Sequence, residues 1–305
     1  VGLNRHVDVI AECEQAIAQW QGVSECLGLS SGHAALHSAL MGLEISTGDE
    51  VICTPYTWGA SVSCVLPAGA IPVFADVDVE TGLLDPASVE AAITPRTAAT
   101  LPVPLCGQPA TLAALLAIAR RHGLKLVEDG SQAHGAIHAG RKVGSFGDAA
   151  GFSCMGGKLL ATSEAGYLLT NSKDVYWKAC LNTQHMGRSS EPDYPDALRP
   201  FVDSLVYTYR MSQLDAVMLT EQLHSIDEQN AGRRWNVARF KEHLAGLTCV
   251  SFPTFGADDD PAYHMLSFNF EAAAAGINRP TFLQAIRAEG ASLLVDLERG
   301  VVGEG

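Results

Sequence analysis

The sequence predicts an α/β protein with a mostly parallel central sheet flanked by helices, followed by a smaller α+β unit. Three observations lead there. Short apolar runs of strand length alternate with amphipathic stretches of about 10 to 15 residues, the pattern of βαβ units. Polar and glycine turns such as Ser46-Thr47-Gly48-Asp49 separate the runs. The alternation then stops after Gly166-Tyr167-Leu168-Leu169-Thr170, where an irregular polar stretch with Asp193, Tyr194, Pro195, Asp196 and Pro200 begins.

The elements follow in chain order. Val7 to Trp20 carry apolar residues at helical spacing, and Glu25 to Leu29 read as a strand. Ser30-Ser31-Gly32 caps a helix through Ala34, Leu36, Leu40 and Leu43, which leads to the strand Glu50 to Cys53. A helix near Ala60 to Leu66 precedes the strand Ile71 to Ala75; a second, near Pro86 to Ala92, precedes the strand Ala98 to Leu105. A third, Thr111 to Arg121, precedes the strand Lys125 to Glu128, and a further strand ends in Phe152-Ser153. Beyond the irregular stretch one long helix is expected from about Ser212 to Leu247, burying Leu214, Val217, Met218, Leu219 and Leu223. Its basic second half, Asn230 to Leu244, reads as a solvated face. Residues 249 to 305 read as the start of the smaller unit, with a strand His264 to Phe270 and a helix Pro280 to Glu289. The expected division is a large domain over 1–245 and the beginning of a second over 246–305. Val1 in place of Met, and an end at Gly303-Glu304-Gly305 without a closing element, suggest part of a longer chain.

A chain of 305 residues that is 47% hydrophobic can bury a large core. Its net charge of −14 argues against nucleic acid, whose phosphates need clustered Lys and Arg. A phosphorylated cofactor stays possible, because backbone amides build such a site locally. The eight cysteines form no C-x-x-C and several lie in apolar runs, so they read as reduced core thiols of a cytoplasmic protein. The cysteines show no paired metal-ligand spacing to complete a zinc site, so no metal is expected. The start lacks the positive and apolar regions of a signal peptide, and no uncharged stretch of about 18 apolar residues suggests a membrane span.

The chemistry concentrates at strand ends. Lys158 lies in Gly151-Phe152-Ser153-Cys154-Met155-Gly156-Gly157-Lys158, a small-residue loop after a strand, and Asp129 ends the run Lys125-Leu126-Val127-Glu128. An acid at one strand end and a lysine just past another suit a pyridoxal 5'-phosphate enzyme. The acid keeps the pyridinium nitrogen protonated and the lysine forms the Schiff base. Each residue also has a plainer reading. Asp129 suits a helix N-cap as well as a pyridinium N–H, and Lys158 by itself suits a surface lysine. Gly32 opens a helix after a strand, as a phosphate cradle or as an ordinary capped helix. Trp58 stacks on a flat ring or packs in a core. Gln132 approaches a phenolic oxygen or is a loop amide, and Ser153 binds phosphate or caps a turn. His37, His122, His134 and His185 read as structural or surface histidines. The order of glycine, aromatic, acid, serine and lysine, each near a strand's carboxyl end, favours the cofactor reading.

Gly48-Asp49-Glu50-Val51-Ile52, Ala70-Ile71-Pro72-Val73-Phe74-Ala75-Asp76-Val77-Asp78, Val127-Glu128-Asp129-Gly130-Ser131-Gln132-Ala133-His134-Gly135-Ala136 and Tyr209-Arg210-Met211-Ser212 resemble the DegT/DnrJ/EryC1/StrS aminotransferases, of PLP fold type I, over nearly the whole chain. The resemblance implies that Lys158 is the covalent anchor, Asp129 meets the pyridine nitrogen, Trp58 stacks on the ring and Gln132 approaches its hydroxyl. Gly32, His33 through its backbone amide, and Ser153 would hold the phosphate. It further implies amino transfer from glutamate or glutamine to a keto-sugar or keto-cyclitol, in a homodimer whose active site is shared. Pro55-Tyr56-Thr57-Trp58-Gly59-Ala60-Ser61 and Gly107-Gln108-Pro109 are similar to the cyclitol branch. Two departures stand out. Ser163-Glu164-Ala165-Gly166 replaces the usual Gly-Glu-Gly-Gly, and Thr208 stands where an asparagine usually reaches the partner's phosphate. Alternatives are a dehydratase or aminodehydratase on the same scaffold, and a non-catalytic scaffold protein; Lys158 speaks against the sugar dehydratases of this family, which carry histidine there.

Overall fold

The computed structural model describes residues 7–109, 111–184 and 188–290; His185 and both chain ends lie outside them. The elements are α1 (Val7–Gln21), β1 (Glu25–Leu29), α2 (Gly32–Gly42), β2 (Glu50–Cys53), α3 (Ala60–Ser63), β3 (Ile71–Phe74), α4 (Pro86–Ala92), β4 (Thr97–Leu101), α5 (Leu112–His122) and β5 (Lys125–Asp129). A short hairpin, β6 (Ile137–His138) and β7 (Arg141–Lys142), leads to β8 (Ala149–Ser153), β9 (Gly166–Thr170) and α6 (Lys173–Thr183). Next come α7 (Gln213–Leu223), α8 (Ile226–Leu244), β10 (Val250–Ser251), β11 (Asn269–Phe270), α9 (Ala272–Ala275) and α10 (Arg279–Ala288).

Seven strands form one sheet in the order β1-β9-β8-β5-β4-β2-β3. Only β9 runs against its neighbours, so the carboxyl ends of β1, β2, β4, β5 and β8 share one edge. The expected mostly parallel α/β sheet is therefore present. Its middle strands are apolar on both faces because helices cover both. Glu128 departs from this pattern, fully buried one residue before the end of β5. Its carboxylate accepts from the amides of Gly144 (2.7 Å), Phe146 (2.7 Å) and Gly147 (2.8 Å), which fixes the chain entering β8. These bonds offset much of the cost of burying the group.

Four expectations need correction. The strand expected to reach Leu105 stops at Leu101, because Pro102 and Pro104 have no N–H for the ladder. The expected strand from His264 pairs only at Asn269–Phe270, since its partner β10 is two residues long. The single long helix is two. Tight i→i+3 bonds, His224 N to Glu221 O and Ser225 N to Gln222 O, close α7, and the Trp20 indole holds Asp227 in the first turn of α8 at 3.1 Å. The face assigned to burial on α7 is only partly right: Leu219 is buried and Leu223 half-buried, as expected. Leu214, Val217 and Met218 are 79%, 49% and 48% exposed, while Asp215, Ala216 and Leu219 are buried. Asp215 is drawn inward by the hydroxyls of Ser212 (2.6 Å) and Ser163 (3.4 Å).

Candidate active site

Five segments meet at the shared carboxyl edge of the sheet. Asp129 is buried at the end of β5, and both its oxygens are engaged: Oδ2 accepts from Ser61 Oγ at 2.6 Å and Oδ1 from the Ser131 amide at 3.1 Å. Thr57 Oγ1 lies 2.9 Å from Ser61 Oγ, so the turn after β2 orients the acid. On the other side the Ser153 amide donates to Ser131 Oγ at 3.1 Å, which ties the end of β8 to the same loop. A Cβ on Gly32 would fall 2.4 Å from Ser153 Cβ. Only glycine lets the start of α2 approach that closely. Ser31 caps the helix by accepting the Ala34 amide at 3.1 Å, and the preceding amides, Gly32 and His33, have no acceptor within the helix. The geometry thus brings Gly32, Asp129 and Ser153 together, as the sequence suggested.

Lys158 is half-buried past the end of β8. Burial lowers the pKa of its amine, opposed by the negative charge of Asp129, which places the two groups within electrostatic reach. Gln132 is buried and accepts the Cys106 amide through Oε1 at 2.8 Å, which leaves its NH2 as the group to offer a ligand oxygen. Trp58 is 69% exposed, which excludes the core reading. His33 sets Nδ1 3.3 Å from Ser63 Oγ, so its backbone alone faces the helix start. Thr208 is exposed in a segment pinned by Tyr207 N to Asn182 O (2.9 Å), Tyr209 N to Thr183 O (3.1 Å) and Ser30 N to Tyr209 O (2.8 Å). Among the described residues no hydrogen bond joins Thr208 to Asp129 or Lys158.

Sequence reasoning assigned no role to Thr57, Ser61, Ser131 or His264. The first three sit within a few residues of recognised positions, and that proximity was the available signal. His264 had none. It arrives through Gly107, whose φ of +83° and missing Cβ let the amides of Tyr263 and His264 pack against it; a Cβ would lie 2.8 Å and 3.1 Å from them. The Ala262 amide also donates to Gly107 O at 3.0 Å. Burial first, then the charges of Lys158 and Arg233, depress His264 to about 4.

His134 is fully buried beside Cys154, edge-on to Phe152 at 5.1 Å, and burial pushes it down from 6.5 to about 3. Its folded value lies below its unfolded one, so its contribution to stability is intact above 6.5 and is lost as pH falls towards 3. By pH 5 the loss is about 2 kcal/mol, at about 1.4 kcal/mol per unit. In urea unfolding at pH 7.5 and pH 5, His134→Gln should lose about 2 kcal/mol less than the wild type. Equal losses would mean that the folded protein accommodates the imidazolium.

The mostly parallel sheet flanked by helices is shared with solved fold type I aminotransferases. The chain belongs to the DegT/DnrJ/EryC1/StrS aminotransferase family, whose profile matches residues 5–295. It is 39% identical over 281 residues to the L-glutamine:2-deoxy-scyllo-inosose aminotransferase of Streptoalloteichus tenebrarius, covering 89% of this chain and 65% of that protein. It is 39% identical over 238 residues to the GDP-perosamine synthase of Caulobacter vibrioides, covering 78% and 62%. The chain thus spans a little under two thirds of these relatives. Among solved structures, Streptomyces venezuelae DesV in complex with a ketimine intermediate superposes with a TM-score of 0.81 at 33% identity, covering 92% of this chain and 72% of that one. The aminotransferase from Psychrobacter cryohalolentis gives 0.86 at 30% identity, covering 92% and 75%.

Proposed function

We propose that this protein is a pyridoxal 5'-phosphate-dependent aminotransferase that moves an amino group from glutamine or glutamate to a keto-cyclitol or keto-sugar. The observation that carries the reading is the convergence of Asp129, Lys158, Ser153 and the Gly32 helix start at one sheet edge. The site fits the cofactor. A buried carboxylate stands ready for a protonated ring nitrogen, and the close approach at Gly32 leaves helix amides and a serine for a phosphate. Bound there, the cofactor supplies an electron-poor ring that takes up the electrons of a substrate Cα–H bond. The remaining work belongs to the chain. Asp129, oriented by Ser61 and the Ser131 amide, holds a positive charge at the ring nitrogen. Gln132 offers its NH2 to the ring oxygen, and Trp58 covers the ring face. Lys158 Nζ, kept easy to deprotonate by burial, anchors the cofactor and moves the α-proton.

The cyclitol class is supported by the 2-deoxy-scyllo-inosose aminotransferase relative, and the nucleotide-sugar class by the GDP-perosamine synthase. A cytoplasmic setting fits the free thiols; among the described residues no helix is long and apolar enough to cross a membrane. A second domain beginning near residue 246 is supported by the separate β10–β11 pair and the aromatic group Phe252, Phe268, Phe270 and Phe282 around it. The working unit is a homodimer. Leu214, Val217 and Met218 form an exposed apolar face on α7, and exposed Thr208 is available to a partner's phosphate. The test is a panel of keto-cyclitols and nucleotide-linked keto-sugars with glutamine and glutamate as donors, run alongside sedimentation of the cofactor-loaded protein. Amino transfer to at least one acceptor by a dimer is expected. A colourless protein inert on the whole panel would remove the enzyme reading, and an active monomer would remove the shared site.

A further inference from the structure

The loop that carries Lys158 is closed at its neck by its own backbone. Cys154 N donates to Ala165 O at 2.7 Å, Thr162 N to Cys154 O at 2.7 Å, and Lys158 N to Met155 O at 2.9 Å. Its tip has little to lean on. Met155, Gly156 and Gly157 are exposed, a Cβ on Gly156 would find only Thr162 O at 3.4 Å, and one on Gly157 would find only the Met155 side chain. The returning limb is gripped from outside, by α7. Gln222 accepts the Ala161 amide through Oε1 at 3.0 Å and donates its own amide to Ala161 O, so one side chain supplies the pair of bonds a neighbouring strand would make. Two turns earlier on the same helix face, Asp215 accepts from Ser163 Oγ at 3.4 Å and is itself fixed by Ser212.

The geometry points to Gln222, supported by Asp215, as a positioning residue for Lys158: by holding residues 161–163 to α7 it fixes where the lysine amine sits at the edge of the sheet. This rests on the reading of Lys158 as the covalent anchor. A loop with two adjacent glycines has much backbone freedom to lose, and holding a reacting group in place is worth most where the chain would otherwise wander. The groups that face the amine electrostatically are Asp129, Cys154, His134 and His264. None is altered by the uncharged replacement Gln222→Met, so a shift in the amine's behaviour in that variant reports position and hydration.

Gln222→Met keeps the length of the side chain, adds no charge and removes both hydrogen bonds. In the full chain without added cofactor, the pH dependence of Lys158 acylation is followed by peptide mass spectrometry. Released from the clamp, the amine gains water and loses part of its burial, so the midpoint should rise by about one pH unit in Gln222→Met. Pyridoxal 5'-phosphate should then bind about tenfold more weakly, with a weaker visible band. Should Gln222→Met not fold, Ser163→Ala carries the same comparison, with a smaller shift in the same direction. A wild-type midpoint and spectrum in the folded variants would overturn the proposal. A wild-type chain that gives no borohydride-trapped adduct would overturn the cofactor reading instead, while the acylation midpoint still decides the clamp.

Discussion

Lys158→Ala is expected to abolish amino transfer, with turnover falling by about 10³-fold or more, while the protein stays folded and still takes up pyridoxal 5'-phosphate non-covalently. On the proposed reading two functions leave with one amine, the covalent anchor and the base that moves the α-proton, the latter alone worth about 10²- to 10⁴-fold. The fold should tolerate the change, because the side chain is only half-buried and no other residue's hydrogen bond depends on its amine among the described residues. Borohydride treatment of the cofactor-loaded wild type should place the trapped adduct on the peptide containing Lys158. An adduct on Lys142 or Lys173 would sink the assignment. Lys142 already has a different environment, its ammonium donating to Trp20 O and lying 4.4 Å from the indole ring centroid, and Lys173 is exposed in an ion pair with Asp193.

Asp129→Asn should lower turnover by about 10²-fold, the scale found when a preorganised electrostatic partner of the reacting charge is removed. The shape is kept. An asparagine still accepts from the Ser131 amide, and Ser61 Oγ can turn to accept from the new NH2, so stability should change by no more than about 1 kcal/mol. A second readout separates this role from simple capping. The Asp129 charge favours the ammonium form of Lys158, so its removal should lower the midpoint of Lys158 acylation. That direction is opposite to the one expected for Gln222→Met. Near-normal turnover with an unmoved lysine midpoint would make Asp129 a structural cap.

How much of this was legible in the sequence divides along physical lines. The strands β1, β2, β3 and β5 were readable almost to the residue, β4 with an end four residues too long and β8 by its end, because apolar runs bounded by turns are local; β9 was passed over as the place where the alternation stops. The long helix is two: Ser225, with Asp227 and Glu228 in the turn after it, starts α8, and the Trp20 indole bonds Asp227 from far along the chain. The buried face of α7 was assigned to its large apolar residues, yet the helix turns inward the face that satisfies Asp215 and admits Ala216 against the core. Hydrophobicity alone does not rank a buried acid with two hydroxyl donors above an exposed leucine.

By itself the sequence determined the α/β architecture and the family, and it singled out Gly32, Asp129, Ser153 and Lys158 as candidate positions. These are set by residue type at a strand end, and strand ends are local features. Only the tertiary structure decided what surrounds them. Ser61 holds Asp129 across 68 residues of chain, Gln222 grips Ala161 across 61, and His264 reaches the site through a gap that Gly107 leaves open. The reason is physical: a hydrogen bond or a close approach between distant segments depends on where the sheet puts their backbones, and no short stretch of sequence encodes that distance.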